Sequence, residues 1–378
     1  MTIYFVAGEV SADNHGAALM RSLRELDGEL KFVGRGGPQM QEVAGQQFKN
    51  WISEAAVLGL WEVLRKYGYF REQFQETLRE IRESKPDAVV LIDYPGFNLR
   101  LARALRRQAP QQKVIYYISP QVWAWNRGRI KRMAHFIDLV LCIFPFEVDL
   151  YNKAGLRALF VGHPMVERLR ARKIDAQRDQ NLIGLFPGSR SREVRKIFPV
   201  MLETARELRK HNSNLRFEVA AASEQLAREI KPAIAGLDQT QKREEILIKI
   251  DETAAIMQRA WAGIIASGSA TLEAAFFRLP FVLIYKVAWP TYVAARLVVN
   301  VKYLGMPNLL ADKEVVPEFI QYRAKPNAIV TALQPLIEIA NARERMISEF
   351  DAMVPQLGDI EASKRAARAI IEEIESAT

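Results

Sequence analysis

The stretch LIGLFPGSRSREV occupies residues 182–194 and predicts a β-strand, a tight turn and the start of a helix. Pro187 and Gly188 end its apolar run, bend the chain and allow the backbone to approach a ligand closely. At such a junction the free N–H groups of the first helical turn and the positive end of the helix dipole bind anions, and Arg190 adds a full positive charge. The stretch therefore predicts an anion site, although an ordinary turn capped by Ser189 or Ser191 has the same pattern.

A second turn of this kind follows in the same half of the chain. The apolar run 262–266 is followed by SGSATLE at residues 267–273, which continues into a helical pattern. Two helix N-termini together with Arg190 suit a diphosphate better than a single anion. Glu273 lies in the first helical turn, where it can accept hydrogen bonds from a ribose or simply complement the helix dipole.

Strands and helices alternate along both halves of the chain. The predicted strands lie at residues 2–7, 31–34, 88–92, 114–118, 139–144, 158–161, 182–186, 215–221, 246–250 and 262–266. This alternation predicts an α/β protein with parallel sheets and right-handed crossovers. We expect a first domain at 1–167, a charged linker at 168–181, a second domain at 182–345 and C-terminal helices at 346–378.

Composition limits the partners and the compartment. The chain has 378 residues, a net charge of +9 and a pI near 9.5, which favours an anionic partner. Nucleic acid, an acidic membrane surface and a phosphorylated substrate all fit this charge. The single cysteine, Cys142, excludes a disulfide framework and favours a reducing compartment. The chain starts with a strand pattern and has no signal-peptide pattern, so we expect a cytoplasmic protein.

Two segments predict contact with a membrane surface rather than passage through it. The most apolar run, 287–304, contains Pro290 and two basic residues and does not meet the requirement for a spanning helix. The segment 57–71 mixes large apolar, aromatic and basic residues as interfacial helices do, and the expected membrane contacts are Leu60, Trp61 and Leu64. Packing of 57–71 against the core is the alternative. The basic run 126–132 is either a lipid-phosphate contact or a solvated face.

Polar side chains follow the predicted strands of the first half. Glu9 and Asp93 directly end apolar strands, where a half-buried carboxylate needs a partner or a function. Asp13 can cap the following helix, and His163, which precedes a proline, can be a structural turn residue. In a parallel sheet, ligands bind beyond the carboxyl ends of the strands, so we expect these side chains at one site.

Several common motifs are absent from the sequence. It has neither Gly-x-Gly-x-x-Gly nor Gly-x-x-x-x-Gly-Lys-Ser/Thr, which argues against dinucleotide redox chemistry and P-loop hydrolysis. With four histidines, one cysteine, no His-Glu-x-x-His and no Asp-x-Asp, we expect no metal site and no cofactor.

Six ordered motifs together resemble the lipid-A-disaccharide synthase family: GEVSAD (8–13), IDYPGFN (92–98), SPQVWAW (119–125), FPGSR (186–190), ASGSATLE (266–273) and PNLLA (307–311). The resemblance implies a GT-B type fold, in which two Rossmann-like domains with parallel sheets face a central cleft. It also implies metal-independent transfer, with inversion, from UDP-2,3-diacylglucosamine to 2,3-diacylglucosamine 1-phosphate (lipid X). The products are the β-1,6-linked lipid A disaccharide 1-phosphate and UDP, made at the inner membrane surface. The resemblance further implies that the last of the C-terminal helices packs back on the first domain.

The resemblance also implies roles for individual residues. Asp93 is the expected general base, with Glu9 in the same catalytic cleft. The expected UDP contacts are Gly188, Ser189, Arg190, Ser267, Gly268, Ser269, Thr271 and Glu273. The expected sugar or acceptor contacts are Ser11, Asp13, Ser119 and Asn308. Two positions depart from the family pattern: Ala12 replaces a usual glycine, and Gly96 replaces a common acidic residue, which favours Asp93 as the base.

Two other interpretations remain open from the sequence. Another GT-B nucleotide-sugar enzyme, such as an N-acetylglucosaminyltransferase to a lipid acceptor or a UDP-sugar epimerase, would share the diphosphate site. A basic nucleic-acid-binding protein would fit the net charge, but the sequence contains no recognition motif and this class leaves the two helix-start turns unexplained. We therefore expect no nucleic-acid partner.

Overall fold

The computed structural model describes residues 1–52, 67–122, 128–235, 246–298, 301–359 and 361–376. The chain divides into two compact units: residues 1–164 with 357–378, and residues 165–356. Each unit has a parallel sheet with helices connecting its strands. The α/β class predicted from the alternation of strands and helices is confirmed.

The sheet of the first unit is parallel and has the strand order β3-β2-β1-β4-β5-β6-β7. Its strands are β1 (Thr2–Ala7), β2 (Lys31–Gly36), β3 (Lys49–Asn50), β4 (Ala88–Ile92), β5 (Lys113–Tyr117), β6 (Leu139–Cys142) and β7 (Ala158–Phe160). The helices described between them are α1 (Val10–Leu26), α2 (Pro38–Ala44), α3 (Tyr67–Ser84), α4 (Pro95–Gln108), α5 (Gly128–Met133) and α6 (Pro145–Asn152). All five residues of β4 are buried, as expected for a central parallel strand covered on both faces.

The C-terminal helix belongs to the first unit, although it follows the second unit in sequence. This helix, Ala362–Glu375, packs against α1. Its buried Glu373 forms ion pairs with Lys113 (2.9 Å) and Arg157. The Arg365 Nε donates a hydrogen bond of 3.0 Å to the carbonyl of Val161. These polar contacts and the small buried alanines of the helix fix the end of the chain on the first sheet.

The sheet of the second unit is also parallel and has the order β10-β9-β8-β11-β12-β13. Its strands are β8 (Asp179–Phe186), β9 (Arg216–Ala221), β10 (Ile246–Ile250), β11 (Ala260–Ala266), β12 (Phe281–Tyr285) and β13 (Glu318–Ile320). Its helices are α7 (Met165–Ala171), α8 (Ser191–His211), α9 (Glu224–Ala235), α10 (Thr253–Arg259), α11 (Ala270–Phe276), α12 (Trp289–Val298), α13 (Met306–Ala311), α14 (Pro326–Glu338) and α15 (Ala340–Met353). The C-terminal helix of the first unit is α16. Two short 3₁₀ turns, Gln321–Arg323 and Val354–Leu357, complete the described elements.

Some local predictions differ from the structure. The segment 168–181 contains the end of α7 and the first residues of β8, where Asp179 forms an ion pair with Arg216 on the neighbouring strand. The strand predicted at 139–144 ends at Cys142, because Pro145 starts a helix. Strands β3, β12 and β13 have no counterpart among the predicted strands, and two of them are very short.

The expected membrane contacts Leu60, Trp61 and Leu64 lie outside the described residues. Trp123 and Trp125 of the SPQVWAW motif also lie outside them. Part of the basic run 126–132 forms α5. Among the helices that the structure describes, none is both long and apolar enough to cross a membrane.

Candidate active site

The carboxyl ends of two central strands bring Glu9 and Asp93 to the same edge of the first sheet. Strands β1 and β4 are paired with Ala7 opposite Ile92, and each carboxylate follows shortly after its strand. Glu9 is the exposed N-cap residue of α1, whereas Asp93 is only partly exposed. The structure therefore places these two predicted residues close enough to interact electrostatically.

The backbone at Asp93 adopts an uncommon conformation. Asp93 and Tyr94 have φ values of 47° and 48°, in the left-handed region that residues with a Cβ rarely adopt. The conformation is fixed from three sides: the Asp93 N–H donates to the carbonyl of Tyr117, and the Asp93 carbonyl accepts from Tyr116 Oη and from Asn98 Nδ2. Such strain persists where the surrounding structure over-determines it, which is common at active sites.

The surroundings raise the pKa of Asp93 to about 6. Burial is the largest cause, because it disfavours the charged carboxylate, and the nearby negative charge of Glu9 acts in the same direction. A hydrogen bond from the backbone of Tyr94 opposes both effects. A carboxylate with this pKa is ionised at neutral pH and is a stronger base than an ordinary aspartate.

The sequence analysis did not identify the side chains that support Asp93. A Cβ at Gly8 would lie 2.3 Å from the ring of Tyr94, so only glycine there allows the ring to pack against the first loop. Asn98 is fully buried and its Nδ2 also donates to the carbonyl of Ile92 at 3.2 Å. The sequence shows only an asparagine one turn into the helix that Pro95 starts, and its burial is known from the structure alone. No sequence signal predicted that Tyr94, which precedes a proline, would be left-handed.

Asp13 is buried beside the start of α2. Its side chain is 2% exposed, and its carboxylate accepts backbone hydrogen bonds from Gly37 (2.9 Å), Gln39 (3.0 Å) and Met40 (3.0 Å). These donors belong to the N-terminus of α2, so Asp13 caps that helix rather than its own. A Cβ at Gly37 would collide with the Asp13 carboxylate at 2.5 Å.

The other residues expected to contact sugar or acceptor differ in accessibility. Ser11 is exposed in the first turn of α1, and Ser119 is buried after β5. Asn308 is fully buried: its Nδ2 donates to Val316 O and Glu318 Oε1, both at 2.8 Å, and its Oδ1 accepts from the backbone N–H groups of Val315 and Val316. Asn308 therefore organises the loop before β13.

The opening turn of the second unit has the predicted strand–turn–helix form. Strand β8 ends at Phe186, and Arg190 is the N-cap residue of the 21-residue helix α8. Gly188 has a φ of 101°, which favours glycine. Ser189 and Arg190 are exposed, and Arg190 forms an ion pair of 3.1 Å with Glu193 one turn further along the helix.

The second small-residue turn lies beside the first. A Cβ at Gly188 would lie 3.6 Å from the Cβ of Ala266, the last residue of β11. Gly268 has a φ of 149°, and the buried Thr271 donates from Oγ1 to the Gly268 carbonyl at 2.7 Å. Ser267 and Ser269 flank that glycine, and Ser269 is the N-cap residue of α11. The structure therefore brings the predicted UDP contacts together.

Glu273 has a partner that the sequence did not indicate. Its Oε1 lies 2.8 Å from a guanidinium nitrogen of Arg168 on α7. Arg168 falls in the segment that was expected to be a linker, so no motif pointed to it. The pair provides a cation and a carboxylate side by side at the start of α11.

The described residues contain no group of three or more His, Cys, Asp or Glu side chains arranged to hold a metal ion. Positive charge near the two turns comes from Arg190, Arg168 and the helix N-termini. These groups can stabilise a diphosphate.

Comparison with known proteins identifies a family. The family described as lipid-A-disaccharide synthetase matches residues 3–371. The lipid-A-disaccharide synthase of Geobacter sulfurreducens is 38% identical, with 98% of this chain and 96% of the relative covered. The synthase of Coxiella burnetii is 33% identical over 98% of this chain and 97% of the relative.

Solved structures give the same fold at low sequence identity. The UDP-GlcNAc 2-epimerase of Neisseria meningitidis, bound to UDP-GlcNAc, aligns with a TM-score of 0.61 at 13% identity and covers 99% of both chains. MurG of Acinetobacter baumannii aligns with a TM-score of 0.55 at 12% identity, covering 100% of this chain and 99% of that one. These likenesses confirm the predicted GT-B type architecture of two parallel-sheet α/β domains.

Proposed function

This chain belongs to the lipid-A-disaccharide synthetase family, and on that premise we propose that it transfers 2,3-diacylglucosamine from UDP to lipid X. The chain is accordingly a glycosyltransferase of the hexosyltransferase class. The product is the β-1,6-linked disaccharide 1-phosphate, and UDP is released. The observation that carries the proposal is Asp93, a carboxylate with a pKa of about 6 held by a left-handed backbone beside Glu9.

In the proposed mechanism the primary hydroxyl of lipid X attacks the anomeric carbon of the donor in a single displacement. Asp93 takes the hydroxyl proton as the new C–O bond forms and the bond from the anomeric carbon to UDP breaks. Glu9 contributes by keeping the pKa of Asp93 high, so that the base is strong when the proton is transferred. The configuration at the anomeric carbon is inverted.

The leaving group needs stabilisation because negative charge develops on the diphosphate. In our proposal the N-terminus of α8, Arg190 and the turn from Ser267 to Ser269 bind the diphosphate. Glu273 accepts hydrogen bonds from the ribose, and Arg168 holds its carboxylate in place. The described residues that surround these turns supply positive charge without a metal, so we propose metal-independent transfer.

Asp93→Asn tests the role of the base. We expect turnover to fall by about 10²-fold or more, because the amide cannot accept the proton. UDP binding, measured by calorimetry, should remain unchanged because the diphosphate contacts are intact. Near-normal turnover would show that Asp93 is not the general base.

The free energy of unfolding of the Asp93→Asn variant shows whether the substitution disturbs the fold. The folded state raises the pKa of Asp93 from 3.8 to about 6, so the folded protein binds this proton more tightly and the wild type loses stability as the pH rises through that window. Removing the buried charge should therefore raise the free energy of unfolding at pH above 6, by about 1–3 kcal/mol, and have little effect well below pH 4. A variant destabilised at neutral pH would show that the amide has disturbed the fold, and the loss of turnover could not then be assigned to the base.

A further inference from the structure

The helix α12 presents an aromatic and apolar face to solvent. Trp289, Tyr292, Val293 and Arg296 are spaced as one stripe along this helix. Trp289 is 62% exposed and Val293 is 47% exposed. The Trp289 and Tyr292 rings pack edge to face with centroids 5.5 Å apart, so they form one aromatic surface. Exposed tryptophan on a short amphipathic helix is typical of interaction surfaces.

A second exposed aromatic lies at the same end of the unit. Tyr322, in the 3₁₀ turn after β13, is 63% exposed. Its neighbour Gln321 accepts a hydrogen bond from the N–H of Val287 at 2.9 Å and donates one to the carbonyl of Val287 at 3.2 Å. These bonds tie the turn to the start of α12. Among the described residues, Trp289 and Tyr322 are the only aromatics in the set of exposed large hydrophobic side chains.

The sequence of α12 and its flanks is mainly basic, and the first acidic residue after it, Asp312, acts electrostatically on Lys302. Residues 274–311 contain no aspartate or glutamate, and their basic residues are Arg278, Lys286, Arg296 and Lys302. Lys302 lies over the ring of Tyr303, with its Nζ 4.9 Å from the centroid. The helix α12 itself carries aromatic residues and Arg296 and no acidic residue. This combination favours an anionic lipid interface over a protein surface of mixed charge.

The position of α12 relates this surface to the donor site within the same unit. Strand β12 leads into α12 and lies next to β11, whose carboxyl end carries the Ser267 turn. The charges of Glu193 and Arg190 act on Tyr285, the last residue of β12, so the first turn is also near. Contact between this edge of the sheet and a membrane would place the donor site close to the bilayer. The acyl chains of an acylated sugar nucleotide are held in that bilayer.

We propose that the stripe of Trp289, Tyr292, Val293 and Arg296, together with Tyr322 and Lys302, docks the second unit on the headgroup region of an anionic bilayer. Trp289 and Val293 enter the boundary between headgroups and acyl chains, and Arg296 and Lys302 contact lipid phosphates. This surface is formed by residues of the second unit, and its binding to lipid requires neither substrate.

Co-sedimentation with sucrose-loaded vesicles tests the proposal. The variant Trp289→Ser/Val293→Ser should bind vesicles of phosphatidylethanolamine and phosphatidylglycerol about tenfold or more weakly than wild type, because it loses the buried apolar area. Leu247→Ser/Ile339→Ser is the matched control: these residues are 47% and 53% exposed elsewhere in the second unit. The control should bind like wild type. Equal binding by wild type and Trp289→Ser/Val293→Ser would overturn the proposal.

A charge variant separates the lipid headgroup from other partners. Arg296→Glu/Lys302→Glu should weaken binding to the anionic vesicles by about tenfold or more, and it should not weaken binding to phosphatidylcholine vesicles. UDP affinity should stay unchanged in every variant, which checks that the unit is folded. If Trp289→Ser/Val293→Ser binds vesicles normally but loses transfer on detergent-dispersed substrates, the surface contacts substrate acyl chains and the docking proposal is wrong. No substrate is present in the vesicle experiment, so its outcome does not depend on the proposed reaction.

Discussion

Two carboxylates at the end of the first sheet have different environments. Glu9 is exposed at the start of α1, whereas Asp93 is largely buried and its pKa is raised to about 6. Neighbouring acidic groups in different environments commonly divide their roles. Here the negative charge of Glu9 adds to the effect of burial in raising the pKa of Asp93, which makes Asp93 a stronger base.

Glu9→Gln tests this division through the pH dependence of kcat/KM. Asp93 is competent only when ionised, so the rate of the wild type should fall as the pH drops below about 6. Removing the charge of Glu9 lowers the pKa of Asp93, so the acid limb of the profile should move to lower pH. Glu29→Gln, an exposed carboxylate after α1, is the control. An acid limb that does not move would show that the two carboxylates are not coupled.

Arg190 forms an exposed ion pair with Glu193. Exposed ion pairs are weak, so the Arg190 side chain can turn toward a diphosphate. We expect Arg190→Ala to weaken UDP binding about tenfold or more while changing uridine binding little, because only UDP carries the diphosphate. Titration calorimetry with both ligands measures the difference. Arg192→Ala, two residues along the same helix, is the matched control. Equal losses of affinity for UDP and for uridine would show that Arg190 does not contact the diphosphate.

At the residue scale, the sequence identified the groups that follow strand ends better than it identified their roles. Asp93 and the glycines at 188 and 268 stand out because a polar or flexible residue interrupts an apolar strand pattern. Asp13 and Asn308 belong to motifs of the same kind, but their oxygens are occupied by backbone N–H groups from segments distant in sequence. Only tertiary structure reveals such partners, so sequence patterns cannot separate a ligand contact from a buried support.

The element scale concerns how the loops at the carboxyl edges are held. In the first unit Asp13 on α1 caps α2 and thereby joins the loops that follow β1 and β2. In the second unit Thr271 and Gly268 shape the turn before α11. Lateral hydrogen bonds of this kind hold the loops at the carboxyl edges in place.

Asp13→Ala tests the capping role. The variant leaves three N–H groups of α2 without their charged acceptor, so the free energy of unfolding should fall by about 2–4 kcal/mol. Chemical denaturation measures this change, and Asn14→Ala, an exposed neighbour on α1, should have almost no effect. Asp13→Asn keeps one oxygen acceptor and should be intermediate. A stable Asp13→Ala variant with weakened acceptor binding would instead make Asp13 a substrate contact.

The predicted elements were most accurate where strands are central and buried. The predicted bounds of β1 and β4 match the structure because continuous apolar runs end at polar or proline residues. The short outer strands β3 and β13 are set by pairing with a neighbour rather than by their own sequence. The helix α7 was missed for a different reason: it is only seven residues long, and its two arginines gave no clear periodicity.

At the scale of the whole molecule, the fold and the family relationship give different information about the reaction. Epimerases and a glycosyltransferase share this architecture at 12–14% identity, so the fold alone admits several reactions of nucleotide sugars. The family relationship covers nearly the full length of the chain and of its relatives, and it selects one reaction among them. The alternation of strands and helices therefore predicted the fold, whereas the function depended on the six motifs.

The first unit contains both ends of the chain. The C-terminal helix α16 completes the first unit through Glu373, Lys113 and Arg157, while the donor turns belong wholly to residues 165–356. The sequence pattern predicted helices at the C-terminus, but a helical pattern contains no information about which sheet the helix packs on.

Mass spectrometry of the products tests the central claim most directly. The purified protein is incubated with UDP-2,3-diacylglucosamine and lipid X, and in parallel with UDP-N-acetylglucosamine alone. We predict that the first mixture yields the tetraacylated disaccharide 1-phosphate and UDP, and that the second remains unchanged. Failure of the active, folded protein to form the disaccharide, together with epimerised UDP-N-acetylglucosamine in the second mixture, would contradict the account.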